Sequence, residues 1–325
     1  MSRLPVAILS VCLAAFGQMP VTTAQIFPDR PVRFIVPYAP GGSGDIITRL
    51  LGHKLSPIWG QQVVVENKPG GGGLIGTEIA ARSAPDGYTI YVATDGPVTV
   101  APSLMKSVPY DWKRDLVPLS MMAVGYQILV TAPQLPAKTV AELVALAREK
   151  PGALNYASIG IGSPPHLGAE IFKAAAKIDI AHVPYRGATA QAITALLAGE
   201  VSMFMVGTTP VISQIQAGKL RGLAVTSPRR VDRLPDVPTF REVGMPTVDV
   251  KIWFALMAPG GTQEPLVRRL HADIATAIGD AEFRAQLETR GFEAVSSTPE
   301  DLGQFLNQDY ERLRDLIRDL KLDRQ

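Results

Sequence analysis

The alternation of short apolar strands with amphipathic helices constrains this chain more than any other feature of its sequence. Residues 32–36 are rich in β-branched and aromatic side chains, and residues 46–55 carry apolar side chains at helical spacing. A strand over 62–66, a helix over 74–82 and a strand over 89–93 follow with short connections. Because this order favours parallel strands covered by helices on both faces, the sequence predicts an α/β fold.

The alternation restarts in the middle of the chain and predicts a second lobe. A predicted helix over 139–148 begins a new series of strands and helices that continues to residue 226. The segment 228–246 contains four prolines and is expected to be a rigid, irregular connection. We expect the strands near 126–131 and 250–257 to cross between the lobes.

The fold class is therefore predicted as α/β with two lobes, each a mostly parallel sheet flanked by helices, and with a ligand cleft between them. We assign residues 25–124 and 247–325 to lobe 1 and residues 125–246 to lobe 2. About 300 residues can build two ordinary hydrophobic cores of this kind.

The first residues predict export. Arg3 gives a positive start, and the apolar run 4–16 is too short to span a bilayer. The small residues that end at Ala24 fit a signal-peptidase site, so residues 1–24 are predicted to be a signal peptide. Cys12 is the only cysteine and lies inside this segment, so the mature chain has no disulfide and no cysteine-based metal site.

Charge and motifs argue against several classes of function. The formal net charge is only +2 and the charged residues are interspersed, which predicts no nucleic-acid partner. The chain has no G-x-S-x-G, H-E-x-x-H or G-K-[ST] motif, and its histidines lack the spacing of metal ligands. We therefore expect a protein that is not an enzyme, with no metal and no cofactor.

Four predicted strands run into a turn rich in glycine, serine or threonine that opens a helix. These turns are 38–45 (YAPGGSGD), 158–166 (SIGIGSPPH), 183–189 (VPYRGAT) and 206–210 (VGTTP). A helix N-terminus presents unpaired N–H groups and a partial positive charge, and such turns meet at the carboxyl ends of parallel strands. One turn belongs to the first lobe and three to the second, so the sequence predicts an anion clamped between lobes.

The candidate substrate-binding residues belong to these turns, together with Thr94 at the end of the third strand. They are Tyr38, Ala39, Gly41, Gly42, Ser43, Asp45, Thr94, Ser158, Ile159, Gly162, Ser163, His166, Tyr185, Gly187, Gly207 and Thr208. Helix capping alone could explain each turn, with Ser163 at an N-cap and Pro164 at the first helical position. The first two turns contain more glycine than a cap needs, and this favours ligand contact there.

Several other residues have two possible roles each, one in ligand binding and one in the structure of the fold. The pattern Gly42-Ser43-Gly44 invites a dinucleotide site, but Ile47 stands where the third glycine of that fingerprint belongs. The four glycines at 70–73 predict a flexible turn before a helix. Arg186 could pair with a carboxylate or extend into solvent. Trp253 could line the cleft or pack against the hinge, and packing is the commoner role.

The chain resembles the substrate-binding receptors of tripartite tricarboxylate transporters, also called Bug-type proteins. The resemblance covers nearly the whole mature chain. It rests on 31–42 (PVRFIVPYAPGG) with Asp45, 63–70 (VVVENKPG), 85–88 (PDGY), 182–187 (HVPYRG), 217–221 (AGKLR), 234–239 (LPDVPT) and 258–262 (APGGT). The chain departs from the family at Ser202, where relatives often carry Asp, and at Thr189, where Pro is common.

The resemblance implies a type II periplasmic binding fold and a bacterial periplasmic receptor for organic acids, acidic amino acids or aromatic carboxylates. It also implies that one ligand carboxylate is held by backbone groups and water at 38–45 and 158–166. The implied partner is a set of integral membrane transporter subunits, and we expect a monomer. Two alternatives remain, a periplasmic receptor that feeds a signalling system and, with less support, a nucleotide-dependent enzyme.

Overall fold

The computed structural model describes residues 27–319, within which ten strands alternate with helices. The strands are β1 (Val32–Val36), β2 (Val63–Asn67), β3 (Thr89–Thr94), β4 (Leu116–Thr131), β5 (Asn155–Ser158), β6 (Ala181–Pro184), β7 (Met203–Gly207), β8 (Arg221–Val225), β9 (Lys251–Pro259) and β10 (Phe292–Ala294).

The helices of the same range vary widely in length, from single turns to α11 at the C-terminal end. They are α1 (Ser43–Trp59), α2 (Leu74–Ala81), α3 (Ala101–Leu104), α4 (Trp112–Asp115), α5 (Val140–Glu149), α6 (Pro164–Ala176), α7 (Thr189–Ala198), α8 (Ile212–Gln216), α9 (Glu264–Gly279), α10 (Ala281–Glu288) and α11 (Pro299–Asp319). A 3-10 turn (Gly71–Gly73) precedes α2, and a π-helical turn (Gly96–Val100) precedes α3.

Local sequence signals explain where several elements begin. β1 has the predicted bounds, and all of its side chains except that of Arg33 are buried, as expected for a strand covered on both faces. Thr139 caps α5 by accepting a hydrogen bond from the Glu142 amide, which satisfies one unpaired N–H of the first turn. These elements form where propensity, patterning and capping agree.

The strands form a continuous sheet in the order β2-β1-β3-β9-β4-β7-β5-β6, with β8 and β10 also paired to β4. The pairs β1–β2, β1–β3, β5–β6 and β5–β7 are parallel, whereas every pair that includes β4 or β9 is antiparallel. The predicted two-lobed α/β fold is confirmed, with parallel outer strands in each lobe and antiparallel strands where the lobes join.

β4 is the strand that crosses between the lobes. Its residues 116–126 pair with β9, and its residues 127–131 pair with β7. The crossing predicted at 126–131 is therefore the second half of a longer strand, which tolerates Pro118 through a shift of register beside it. The second crossing, predicted at 250–257, lies at the start of that range, because Val250 accepts a hydrogen bond from the Thr226 hydroxyl of the second lobe, whereas β9 pairs with β3 and β4 in the first sheet.

Alternation along β9 separates two apolar layers of the first lobe. Ile252, Phe254 and Leu256 pack on the face covered by α1 and α9, and Trp253 lies on the opposite face with α11. Burying a side chain such as Phe254 contributes about 1.5–3 kcal/mol. β9 thus fixes the sheet between two helical layers, and it turns Ile252 and Phe254 toward the side from which α1 approaches.

The two lobes touch at the rim of the cleft. The Ala39 amide donates a hydrogen bond to the Gly187 carbonyl oxygen over 2.9 Å. Gly72 adopts φ +69° and lies against the Ile161 backbone carbonyl so closely that a side chain would collide with it. The glycine run, predicted to be a flexible turn before a helix, does precede α2 and also forms this close backbone contact.

None of the helices within residues 27–319 is long and apolar enough to cross a membrane. The predicted signal peptide, residues 1–24, lies outside the described residues.

Candidate ligand-binding site

A narrow cavity of about 40 Å³ lies between the lobes, at the ends of β1, β3 and β7. Its lining joins the beginnings of α1, α6 and α7 to the middle of β9. The lining residues are Tyr38, Gly42, Ser43, Gly44, Asp45, Thr94, Ile159, Pro164, Pro165, Thr189, Val206, Gly207, Pro210, Ile252 and Phe254. All four predicted turns reach the cavity, and three of them contribute three or more residues each.

Asp45 organises the first turn rather than offering a free carboxylate. Its oxygens accept hydrogen bonds from the Gly41 amide, the Asn67 amide group and the Arg49 guanidinium, at 3.0 Å each. Burial alone would raise the pKa of the Asp45 carboxyl, but these donors outweigh burial and leave the pKa below its ordinary value. Asp45 therefore stays ionised, its charge is matched by Arg49, and it holds the loop before α1 in shape.

The start of α1 provides unpaired donors at the cavity wall. The first helical hydrogen bond runs from the Ile46 amide to the Gly42 carbonyl oxygen at 3.1 Å, so the amides of residues 43–45 have no partner inside the helix. The Ser43 hydroxyl has no hydrogen-bond partner within residues 27–319. The 17-residue helix also directs its positive dipole end at this point.

Tyr38 and Thr94 form the inner wall of the first lobe. The Tyr38 hydroxyl donates to the Gly72 carbonyl oxygen at 3.1 Å and lies 3.4 Å from the Thr94 hydroxyl. Burial raises the pKa of Tyr38 well above its ordinary value, so this hydroxyl remains a neutral donor. Tyr38 thus braces the glycine run, and Thr94 lines the cavity beside it.

The third turn contributes its last residue, Thr189, which is not among the candidate substrate-binding residues predicted from the sequence. Its side chain is buried against Gly42, where an added Cβ would lie 3.3 Å from the Thr189 hydroxyl. Tyr185 and Gly187 do not line the cavity. Instead the Tyr185 amide donates to the Ser158 carbonyl oxygen, and the Gly187 carbonyl oxygen accepts the hydrogen bond from the Ala39 amide. Arg186 is exposed and also lies outside the lining.

The second turn reaches the cavity through Ile159 and the two prolines that follow it. Ser163 occupies the N-cap position of α6, as predicted, but its hydroxyl donates back to the Gly160 carbonyl oxygen at 2.5 Å and caps no helical amide. Pro164 and Pro165 have no N–H groups, so α6 offers fewer donors than α1. Gly162 and Ser163 shape the loop without lining the cavity.

Ser158 and His166 support this loop from inside the second lobe. The Gly160 amide donates to the Ser158 hydroxyl, which lies 2.6 Å from His182 Nε2, and the Gly162 amide donates to His166 Nδ1. Burial, and then the neighbouring His182, lower the pKa of His166 to about 4, and burial also lowers the pKa of His182. Both rings are therefore neutral near pH 7 and act as fixed hydrogen-bonding supports.

The fourth turn divides between two roles. Gly207 lines the cavity, and a Cβ there would lie 2.7 Å from the Ser43 hydroxyl of the other lobe. Thr208 points away, because its hydroxyl donates to the Arg290 carbonyl oxygen at 3.0 Å, as does that of Thr209 at 3.2 Å. The expectation that this turn opens a helix with a hydroxyl cap is wrong, since α8 begins later, at Ile212, without a side-chain cap.

Several lining residues escaped the sequence analysis because they carry no polar signature. Ile252 and Phe254 lie on β9. The sequence predicts that side chains alternate between the two faces of this strand, but it does not predict which face lines the cleft. Trp253, considered as a lining residue, faces the other side and donates from Nε1 to Asp309 Oδ2 at 2.9 Å. Trp253 therefore has a packing role, as expected from the sequence, but it packs against α11, whereas the expected partner was the hinge.

No group of three or more potential metal-ligating side chains occurs within residues 27–319. A larger groove of about 500 Å³ lies on the second lobe between α5 and α6, but it is open and distant from the converging turns. Its one cationic side chain, Arg148, already donates to the Ala176 carbonyl oxygen at 2.7 Å. The cavity between the lobes is thus the better candidate for a specific ligand.

Comparison with known proteins gives consistent results. Residues 47–322 match the family described as the tripartite tricarboxylate transporter family receptor. Protein BugT of Bordetella pertussis is 35% identical over 320 residues, which is 98% of each chain. The structure of the periplasmic binding protein BugD, at 33% identity, superposes with a TM-score of 0.88 over 92% of this chain and 100% of that one. The R. palustris protein Rpa4515, solved with adipate, is 29% identical, with the same TM-score and coverage.

Proposed function

Because this chain belongs to the tripartite tricarboxylate transporter receptor family, we propose that it captures a small carboxylate and delivers it to the membrane subunits of such a transporter. The family and its structural neighbours are periplasmic solute-binding receptors and not enzymes. What we add to that class is the chemical nature of the ligand, the residues that hold it and the partner that receives it.

The observation that carries the proposal is the meeting of unpaired donors in a narrow cavity between the lobes. The first-turn amides of α1 and the hydroxyls of Ser43 and Thr189 border the same small space, and no Lys, Arg or His among the described residues lines it. Neutral donors at a helix N-terminus bind an anion without a permanent countercharge. A carboxylate fits this arrangement, and the adipate bound by Rpa4515 supports the same ligand chemistry.

We propose that the ligand contacts Tyr38, Gly42, Ser43, Thr94, Ile159, Thr189 and Gly207 directly. Ala39, Gly41, Asp45, Ser158, Gly162, Ser163, His166, Tyr185 and Gly187 then act as supports that fix the loops. We retain lobe 1 as residues 25–124 and 247–325 and lobe 2 as residues 125–246. We also propose that cleavage after Ala24 releases the mature receptor into the periplasm as a monomer.

The direct test is to identify the ligand. Protein purified from its native compartment is denatured, and the released small molecules are identified by mass spectrometry. A thermal-shift screen then compares carboxylic acids, acidic amino acids and nucleotides. We expect carboxylates both in the released fraction and among the stabilising compounds. Stabilisation by nucleotides alone would overturn the proposal.

A further inference from the structure

We propose, on the basis of the function above, that the ligand bears a single carboxylate on an apolar body and that the cavity rejects dicarboxylates of the same length. The donors of the lining lie together, the remaining walls are apolar, and the lining has no cation among the described residues.

The donors that face the cavity suffice for one carboxylate. An ionised carboxylate offers about four acceptor positions. The lining supplies the hydroxyls of Ser43 and Thr189 and the first-turn amides at the starts of α1 and α7, which lie together because Thr189 packs against Gly42. The Tyr38 hydroxyl already donates to Gly72, and α6 opens with two prolines that have no N–H. A second carboxylate, held away from this group of donors by the body of the ligand, would find few donors.

The remaining walls are apolar. Ile159, Val206, Ile252 and Phe254 line the cavity with side chains that are 3–5% exposed, and proline rings at three positions complete the surface. Such walls stabilise a hydrocarbon body by removing it from water. A carboxylate pressed against them would lose its water without gaining a hydrogen bond, which is costly.

The charge of the lining also favours a ligand with a single carboxylate. Asp45 is the one ionised side chain among the described lining residues, and Arg49 and Asn67 already occupy its oxygens. A first carboxylate is stabilised by the positive end of α1. A second one would add negative charge where the lining has no cation to balance it.

The test compares acids that differ only in their second carboxylate. Isothermal titration calorimetry of the mature protein, freed of bound ligand by unfolding and refolding, measures butyrate against succinate and hexanoate against adipate. We expect each monocarboxylate to bind at least about tenfold more tightly than its dicarboxylate. The acid released from the native protein gives a second readout, because its mass and fragmentation show how many carboxylates it carries.

A matched pair of variants tests the role of the apolar wall. Val206→Thr replaces a methyl group with a hydroxyl in the lining and should narrow the preference for hexanoate over adipate severalfold. Val130→Thr makes the same change in the same apolar cluster but outside the cavity, and should leave that preference unchanged. An equal effect of both variants would show that the wall does not select the ligand.

The outcomes separate the two proposals. If dicarboxylates bind as well as or better than monocarboxylates, or if the native ligand carries two carboxylates, the single-carboxylate inference is wrong and the receptor function stands. If neither class binds and the released molecule is not a carboxylic acid, the proposed function fails and the inference fails with it.

Discussion

Glycines at the cleft leave the two lobes no room for additional atoms. A Cβ at Gly207 would approach the Ser43 hydroxyl to 2.7 Å and Ile252 Cδ1 to 3.3 Å. Gly207 lies in a strand with ordinary backbone angles, so a substitution there introduces no backbone strain. The space at this position is limited by residues of the opposite lobe.

We therefore expect Gly207→Ala to hinder closure and to weaken ligand binding about fivefold to a hundredfold, equivalent to roughly 1–3 kcal/mol of overpacking. Calorimetric titration with the identified ligand measures the loss. Gly279→Ala is the control, since no atom lies within 4 Å of the added Cβ. Unchanged affinity in Gly207→Ala would show that the lobes need not approach as closely as they do in this structure.

Ser43 and Arg186 distinguish a backbone-and-hydroxyl site from a cationic clamp. Ser43→Ala removes a donor at the cavity, and losing a hydrogen bond to a charged group costs about 1.5–3 kcal/mol. Arg186 is exposed and lies outside the lining, so Arg186→Ala should cost at most about 1 kcal/mol of binding free energy. Titration of both variants is decisive, because the reverse order of effects would place the carboxylate on Arg186.

His166 makes the folded state sensitive to acid. The folded-state pKa is about 4 against an ordinary value of 6.5, so the unfolded chain takes up a proton first as the pH falls. Stability should therefore decrease between about pH 6.5 and pH 4, by on the order of 3 kcal/mol, and His182 acts in the same direction. Urea unfolding of His166→Gln should show a shallower decrease over this range. His53→Gln, on the exposed surface of α1, is the control and should keep the slope of the wild type.

At the scale of elements, α11 is tied to β9 and to the turn before α3 through one buried carboxylate. Asp309 Oδ2 accepts from Trp253 Nε1 and from the Thr99 hydroxyl at 2.9 Å each, while Arg312 donates to Oδ1 at 2.7 Å. The opposite face of β9 carries Ile252 and Phe254. The hydrogen bonds to Asp309 therefore fix the strand that forms this wall of the cleft.

Trp253→Phe removes one donor from that carboxylate and should lower the free energy of unfolding by about 1.5–3 kcal/mol. Chemical denaturation measures the effect. Trp112→Phe gives a matched loss of ring size at another buried tryptophan, for which the described residues supply no hydrogen-bond acceptor, and it should cost less. Equal losses in the two variants would mean that packing, and not the hydrogen bond, accounts for the role of Trp253.

At the scale of the whole molecule, the ligand should act as a bridge between the lobes. The direct contact from Ala39 to Gly187 closes the rim, but the donors inside come from both lobes. A ligand that binds the closed state more tightly shifts the population toward it and stabilises the fold.

Ligand at about 100 times its dissociation constant should stabilise the protein by roughly 2.7 kcal/mol and reduce its radius of gyration in solution scattering. Thermal unfolding and scattering with and without ligand check the two effects. Scattering that is unchanged by a stabilising ligand would indicate a molecule that is already closed without it.

Intact-mass analysis of the same material should show a chain that begins at or near Gln25.

Sequence alone determined many of the elements and the class of protein. The bounds of β1, the capping of α5 by Thr139 and the α/β order follow from signals a few residues long, in which side-chain spacing and capping act locally. The motifs from residue 31 to residue 262 likewise suffice to indicate the family, because they are read in order along the chain.

Tertiary structure alone decided which of those residues meet. Thr208 and Gly207 are neighbours in sequence, yet one bonds to Arg290 and the other faces Ser43. Ile252 and Phe254 line the cavity without any polar motif to mark them, and Pro118 does not interrupt the strand that joins the lobes. The physical reason is that a cleft is formed by packing between distant segments, and its lining depends on strand register and lobe closure, neither of which is encoded within a few consecutive residues.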